Sequence, residues 1–205
     1  GGYYIDTNNT FSGSIDEVAI FNRKLELDEI QAIFAGGVGD GAGDTCDNCP
    51  DTVNPDQEDV DIPGNVAAWR FDEGGGMAAH DSSGNGADGA IVGSPMYSTN
   101  VPAALTGDPY SLSFDGATNK VQGTWSQAFG AEITLAAWFK SPGGGSGSPR
   151  LIEISDASGD WNHSHALVYD TDGALRGWTT GEGTTTRYGV VDTDTITWTD
   201  NQWHL

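Results

Sequence analysis

The sequence predicts an all-β sandwich of many short strands, with one short helix and one strand-free acidic loop. Three observations carry that prediction. Stretches that alternate apolar with polar residues recur at intervals of about 8 to 12 residues, as half-buried strands do. Thirty glycines among 205 residues, together with Asn, Asp and Ser, separate these stretches as turn formers. Seven Trp, seven Phe and six Tyr supply the bulky, β-favouring residues that fill the space between two sheets.

Composition narrows the partners. Asp and Glu number 30 against 8 Lys and Arg, a formal net charge of -22. Such a chain cannot neutralise phosphates, which argues against nucleic acid or an anionic membrane and in favour of divalent cations. No apolar run approaches the roughly 18 residues of a membrane span. With no initiator Met and no leader-like start, the chain reads as a mature fragment or one piece of a longer polypeptide.

Taken in order, Phe11 onward alternates well, and Ile15, Val18, Ile20 and Phe21 predict a short strand after the Ser12-Gly13 turn. The next stretch, LELDEIQAIFAGG, spaces Leu27, Ile30, Ile33 and Phe34 for one face of a short helix. Asp28 and Glu29 fall in its first turn and Gly36 ends it, as the helix dipole and the C-cap require.

Residues 40–61, DGAGDTCDNCPDTVNPDQEDVD, have no hydrophobic periodicity. Carboxylates at spaced positions with glycines where the backbone turns sharply are what a calcium-wrapping loop needs. Asp40, Asp44, Asp47, Asp56, Asp59 and Asp61 are the candidate Ca2+ ligands. Cys46 and Cys49 form a CxxC without the neighbouring βαβ pattern of a redox enzyme or the two further soft ligands of a zinc site. A short disulfide between them, in an oxidising compartment, is the preferred reading; pairing with a cysteine of another repeat or chain is its rival.

From residue 66 a new series begins. VAAWRFDEGGG, SLSFDGATNKVQG, ITLAAWFKSP, RLIEISD, HALVYDTDGALRGWTT and TITWTDNQWHL read as strands. SLSFDGATNKVQG predicts a hairpin about Asp115-Gly116, and Asp172-Gly173 a turn between two strands.

Two resemblances follow from these motifs. The DGxGDxCDNCPxxxNPDQxDxD string resembles a thrombospondin type 3 repeat, a calcium-binding linker; Gly36, Val38 and Pro63 stand where that repeat places further Asp residues. FSGSIDEVAIFNRKLELDEIQAIF resembles the closing segment of a bacterial-type laminin-G-like, concanavalin A-like jelly roll. It departs at Glu26, where the family places a Ser or Thr N-cap; that change costs on the order of 1 kcal/mol. WRFDEGGG, DSSGNGADG, SLSFDGATNKV, ITLAAWFK and NQWHL resemble, in order, the opening landmarks of the same family.

The resemblance implies three parts. Residues 1–37 are the C-terminal segment of one laminin-G-like jelly roll, 38–65 the calcium-binding linker, and 66–205 the N-terminal two-thirds of a second jelly roll. The simplest parent is a tandem array of sandwiches and linkers. The other arrangement has residues 1–37 completing the sandwich of 66–205, in cis or in trans, by strand complementation. The resemblance also implies a structural calcium held by Asp16, with the chain around Asp72 and Gly116, and core roles for Trp69, Trp138 and Trp203. In the array, Asp16 belongs to the preceding copy, and the two halves of such a site need not meet.

Catalysis is not expected. Secreted β-glucanases of this fold carry E-x-D-x-E on one strand; the nearest stretch, Glu153-Ile154-Ser155-Asp156, lacks the central Asp and the second Glu. His163 and His165 have no nucleophile-elbow signature near them. Trp161, Asn162, Trp178, Tyr188 and Trp198 are candidates for stacking on and hydrogen-bonding to a carbohydrate. The expected protein is a secreted, calcium-stabilised, non-catalytic adhesion or structural repeat at a cell surface, partnered by other copies of itself and by glycans or surface proteins. The alternative is a carbohydrate-binding module of a secreted polysaccharide-degrading enzyme.

Overall fold

The computed structural model describes residues 10–34, 63–105, 107–127, 129, 132–143, 149–155, 164–169, 175–179, 198 and 200–205, with the backbone alone at 31–34, 155, 164, 169, 178 and 179. Among these the protein is almost entirely β. Its elements are β1 (Ser12–Phe21), α1 (Leu27–Phe34), β2 (Asn65–Trp69), β3 (Ala78–Ala79), β4 (Gly89–Val92), β5 (Met96–Ser98), β6 (Ser111–Asp115), β7 (Lys120–Gln122), β8 (Thr134–Lys140), β9 (Arg150–Ser155), β10 (Ser164–Tyr169), β11 (Leu175–Thr179) and β12 (Trp203–His204).

The strands form three antiparallel sheets. The largest has six strands in the order β12-β8-β1-β6-β5, with β2 also on β1; the others are β11-β10-β9 and β3-β4-β7. Residues from all three meet in one apolar cluster, among them Ile15, Ile20 and Phe139 from the first, Ile152 and Leu175 from the second, and Ala79 and Ile91 from the third.

β1 is the hub of this arrangement. Along one edge it pairs with β8 from Ser14↔Lys140 to Phe21↔Thr134. Along the other edge two strands abut: β6 covers Ser12 to Ile15, and β2 covers Val18 to Phe21. The segment before residue 35 and the body after residue 62 therefore share one sheet.

A bulge sets the phase of β1. Ile15, Val18 and Ile20 all enter the main core, yet 15 and 18 are an odd number apart, which strict alternation forbids. The β1–β8 register shifts between Asp16 and Ala19, and Glu17 takes a φ of 46°. The extra residue of a bulge flips the following side chains to the opposite face. Ala19 and Phe21 then pack with Leu25 in a smaller cluster on the other side. Close approach also constrains the start of the strand: at Gly13, with φ 143°, a Cβ would lie 2.2 Å from the Lys140 carbonyl oxygen.

The helix expected here forms over Leu27–Phe34, with Leu27 69 % and Ile30 40 % exposed. The helix start is held by Glu29, whose carboxylate accepts the Glu26 N–H (2.8 Å) and pairs with Arg23. This is half of a capping box, and it compensates for the missing Ser or Thr. SLSFDGATNKVQG is not a hairpin: β6 joins the six-stranded sheet while β7 pairs with β4. Asp115 makes the corner by accepting the N–H groups of Ala117, Thr118 and Asn119. Trp198 is buried and stacks on Phe139 at 5.8 Å, which makes it a core residue and not a carbohydrate platform.

Candidate metal centre

The junction on β1 where β2 ends and β6 begins is lined by carboxylates. It arises from chain direction alone. β2 runs antiparallel to β1 and exits at Trp69, opposite Val18, so residues 70–72 continue past Glu17 and Asp16. β6 enters near Ile15, with Leu112 opposite it, so the residues before Ser111 arrive at the same gap from the other side. Asp16, Glu17, Asp72 and Asp108 are thereby brought together from three separate stretches of chain.

Asp16 is completely buried. Its Oδ1 accepts the N–H of Glu17 at 3.1 Å, while Oδ2 is buried without a partner. Asp108 repeats the pattern: Oδ1 accepts the Tyr110 N–H at 3.3 Å, and Oδ2 is buried and unpaired. Oδ1 of Asp72 is a third buried, unpaired oxygen. Asp108 is close enough to hydrogen-bond both Asp16 and Asp72. Ionised carboxylates carry no donor, so these contacts require a shared proton or a cation.

The electrostatics agree with the geometry. Burial, and then the charge of Asp108, push Asp16 far above the usual carboxylate range. Burial and the contact with Asp108 also raise Asp72. Glu17 rises to about 7, mainly through burial, with Asp72 and Asp108 adding to it and Arg70 opposing it. Without a counter-charge the cluster opposes its own ionisation.

Backbone strain brackets the same place. Glu17 (φ 46°) and Phe71 (φ 63°) are two of only three non-glycine residues with positive φ among those described. Each is the immediate neighbour of a cluster aspartate. Such conformations cost about 1–3 kcal/mol each and persist where the surroundings over-determine them.

Among the described residues no group of three or more His, Cys, Asp or Glu is placed so that it could hold a metal ion. The donor set nevertheless fits a hard cation. All of it is oxygen, three of the oxygens are buried without a donor, and calcium takes six to eight oxygens in an irregular shell. Thiolate- or imidazole-preferring metals have no ligand here.

The expected residues fall out as follows. Asp16 and Asp72, from opposite sides of the linker, each lie beside Asp108. Gly116 is not part of the site: it follows Asp115, which pairs with Ser12, about 13 Å along the strand from Asp16 at the usual rise. Its carbonyl accepts the Thr10 hydroxyl. Asp108 joins the cluster instead, although DPYSL carries no metal signature. Only the end-to-end abutment of β2 and β6 brings it in. Asp40, Asp44, Asp47, Asp56, Asp59, Asp61, Cys46 and Cys49 lie outside the described residues. So do Trp161, Asn162 and Tyr188, and the side chain of Trp178.

Trp69 and Trp138 are buried core residues, as expected; the Trp69 indole donates to the Ala87 carbonyl at 3.0 Å. Trp203 is half-buried on β12 and donates to Asn100. Close by, Asp81 organises the loop after β3. Burial alone would raise its pKa, but the N–H groups of Ala68, Ala87 and Ser83 and the Ser83 hydroxyl overcome that and lower it. Its oxygens are all engaged, so Asp81 is a structural hub and not a vacant ligand.

Comparison with protein-family models, with curated proteins and with solved structures found no match in any of the three.

Proposed function

We propose that this protein is a secreted, calcium-stabilised, non-catalytic module of the concanavalin A-like, laminin-G-like jelly-roll type. Its role is adhesion or structural assembly at a cell surface, with other copies of itself as partners. One observation carries the reading: three buried carboxylate oxygens lack donors, on Asp16, Asp72 and Asp108, with Asp108 beside each of the other two. Calcium there links β1 to the body through Asp16, Asp72 and Asp108, with Glu17 beside them, and cancels a repulsion that otherwise opposes folding. The acidic stretch 40–61, which joins β1 to the body, supplies further calcium ligands. A net charge of -22 keeps such a protein soluble and makes cation bridging the natural means of association.

The test is calorimetric titration of the metal-stripped chain with Ca2+ and, separately, Mg2+, on the wild type and on Asp16→Asn. The expected result is a calcium site that this substitution removes, with weaker binding of Mg2+. Equal calcium binding by both proteins overturns the assignment.

A further inference from the structure

The loop after β3 carries the one Asn-Gly pair of the sequence, Asn85-Gly86, and both residues are exposed. The side-chain nitrogen of Asn85 is nevertheless held from three directions. It donates to the Asn65 carbonyl at 2.8 Å and to the Ser83 hydroxyl oxygen at 3.1 Å, with the Val66 carbonyl at 3.4 Å. Backbone carbonyls only accept, so they fix the amide with its nitrogen inward. The Ser83 hydroxyl donates to Asp81 at 2.9 Å and so presents a lone pair to Asn85. This strap ties the loop to the start of β2. Gly86 has no side chain to hinder its nitrogen, and at φ 70° nothing lies within 4 Å of where a Cβ would stand.

We propose that Asn85 is a deamidation site gated by this strap: the closed strap keeps the amide unreactive, and the product cannot refasten it. The step needs only water. The Gly86 backbone nitrogen gives up its proton to water and attacks Asn85 Cγ. A C–N bond forms, the Cγ–Nδ2 bond breaks, and Nδ2 leaves as ammonia with a proton taken from water. A second water opens the cyclic imide at either carbonyl and leaves aspartate or isoaspartate at position 85. Nothing is oxidised or reduced. Expelling Nδ2 requires that its hydrogen bonds be given up first, so the reaction belongs to the locally open state of the loop.

The product makes that opening one-way. A carboxylate has acceptors only. It would meet the Asn65 and Val66 carbonyls with no donor between them, in a loop that already carries Asp81 and Asp88. Isoaspartate also adds a backbone carbon ahead of Gly86 and displaces the buried Ala87. Asp81 holds the Ala87 N–H at 2.9 Å, and the Ala87 carbonyl accepts the Trp69 indole at 3.0 Å. Loss of the strap therefore reaches the main core through Trp69. The carboxylate cluster on β1 plays no part in this, and the inference stands apart from the calcium reading.

The test incubates the full chain in mildly alkaline buffer, folded and in urea, and follows position 85 by peptide mass spectrometry. Conversion is expected in urea. In the folded chain it should be slower by about tenfold or more, as for a reaction confined to a minor open population. Two variants read the consequence. Asn85→Ala removes the strap without adding charge, and Asn85→Asp does both. Urea midpoints should fall in the order wild type, Asn85→Ala, Asn85→Asp; folding of Asn85→Ala but not of Asn85→Asp is the extreme form of that order. No conversion at position 85 in urea overturns the modification site. Equal rates folded and in urea overturn the gating. A midpoint for Asn85→Asp at or above that of wild type overturns the one-way consequence.

Discussion

Asp16 and Asp108 lie carboxylate against carboxylate in a buried joint, each with one oxygen held by a backbone N–H and the other left without a donor. One residue comes from the middle of the hub strand and the other from a loop on the far side of the chain. Their proximity is unfavourable when both are ionised and favourable when a cation lies between them. Four predictions follow from the joint and the strand that carries it.

Calcium raises the melting temperature. A ligand that binds only the folded state adds about 2.7 kcal/mol at a hundredfold excess over its dissociation constant. For a chain of this size that is a rise of roughly 5–10 °C. Differential scanning calorimetry in calcium and in chelator measures it; identical curves would count against a structural cation.

The metal-free protein loses stability as pH rises. Asp16, Glu17 and Asp72 all have folded pKa values above their unfolded ones. The unfolded chain therefore releases protons first, and stability falls as pH increases from the unfolded value through the folded one. For Glu17 that window runs from 4.5 to about 7, and its share of the loss is on the order of 3 kcal/mol. In chelator, the urea midpoint should be higher at pH 5 than at pH 8. Calcium should flatten that slope. A midpoint that climbs with pH in chelator contradicts the assignment.

Asp16→Asn has opposite effects in the two conditions. The amide carries no charge to bury and brings a donor to Asp108, so the metal-free variant should be more stable than wild type at pH 8, by about 1–3 kcal/mol. In calcium it should be less stable, having lost the ion. Chemical denaturation in both buffers reads the crossover; destabilisation of the same size in both would mean a purely structural aspartate.

Gly13→Ala should destabilise the hub strand in either buffer. The added methyl meets the Lys140 carbonyl, a backbone atom that cannot rotate away, at a φ that L-residues avoid. About 2–4 kcal/mol is expected, typical of overpacking joined to backbone strain. The urea midpoint checks it, with Gly107→Ala as the comparison, since that glycine shares the positive φ but has open space around it.

Much of the fold was legible in the chain itself. The alternation of FSGSIDEVAIF predicts a strand, while the bulge between Asp16 and Ala19 came only with the pairing to β8. Trp69 and Trp138 were identifiable as core residues. The exposure of Leu27 and Ile30 was not, because periodicity shows that a helix has an apolar face and not whether anything covers it. The burial of Trp198 was hidden for a similar reason: it stands in a polar stretch and is covered by Phe139, from a distant strand, and by His204.

The sequence by itself determined an acidic, glycine-punctuated all-β chain with Asp16 in a strand, because charge, turn chemistry and side-chain period are local properties. The tertiary structure decided which strands flank it. With β2 and β6 abutting along one edge of β1, Asp72 and Asp108 reach Asp16, and Gly116 is carried away with the far end of β6. Strand order is a contest among non-local pairings, settled by the burial of a shared core, and no single stretch of the chain contains it.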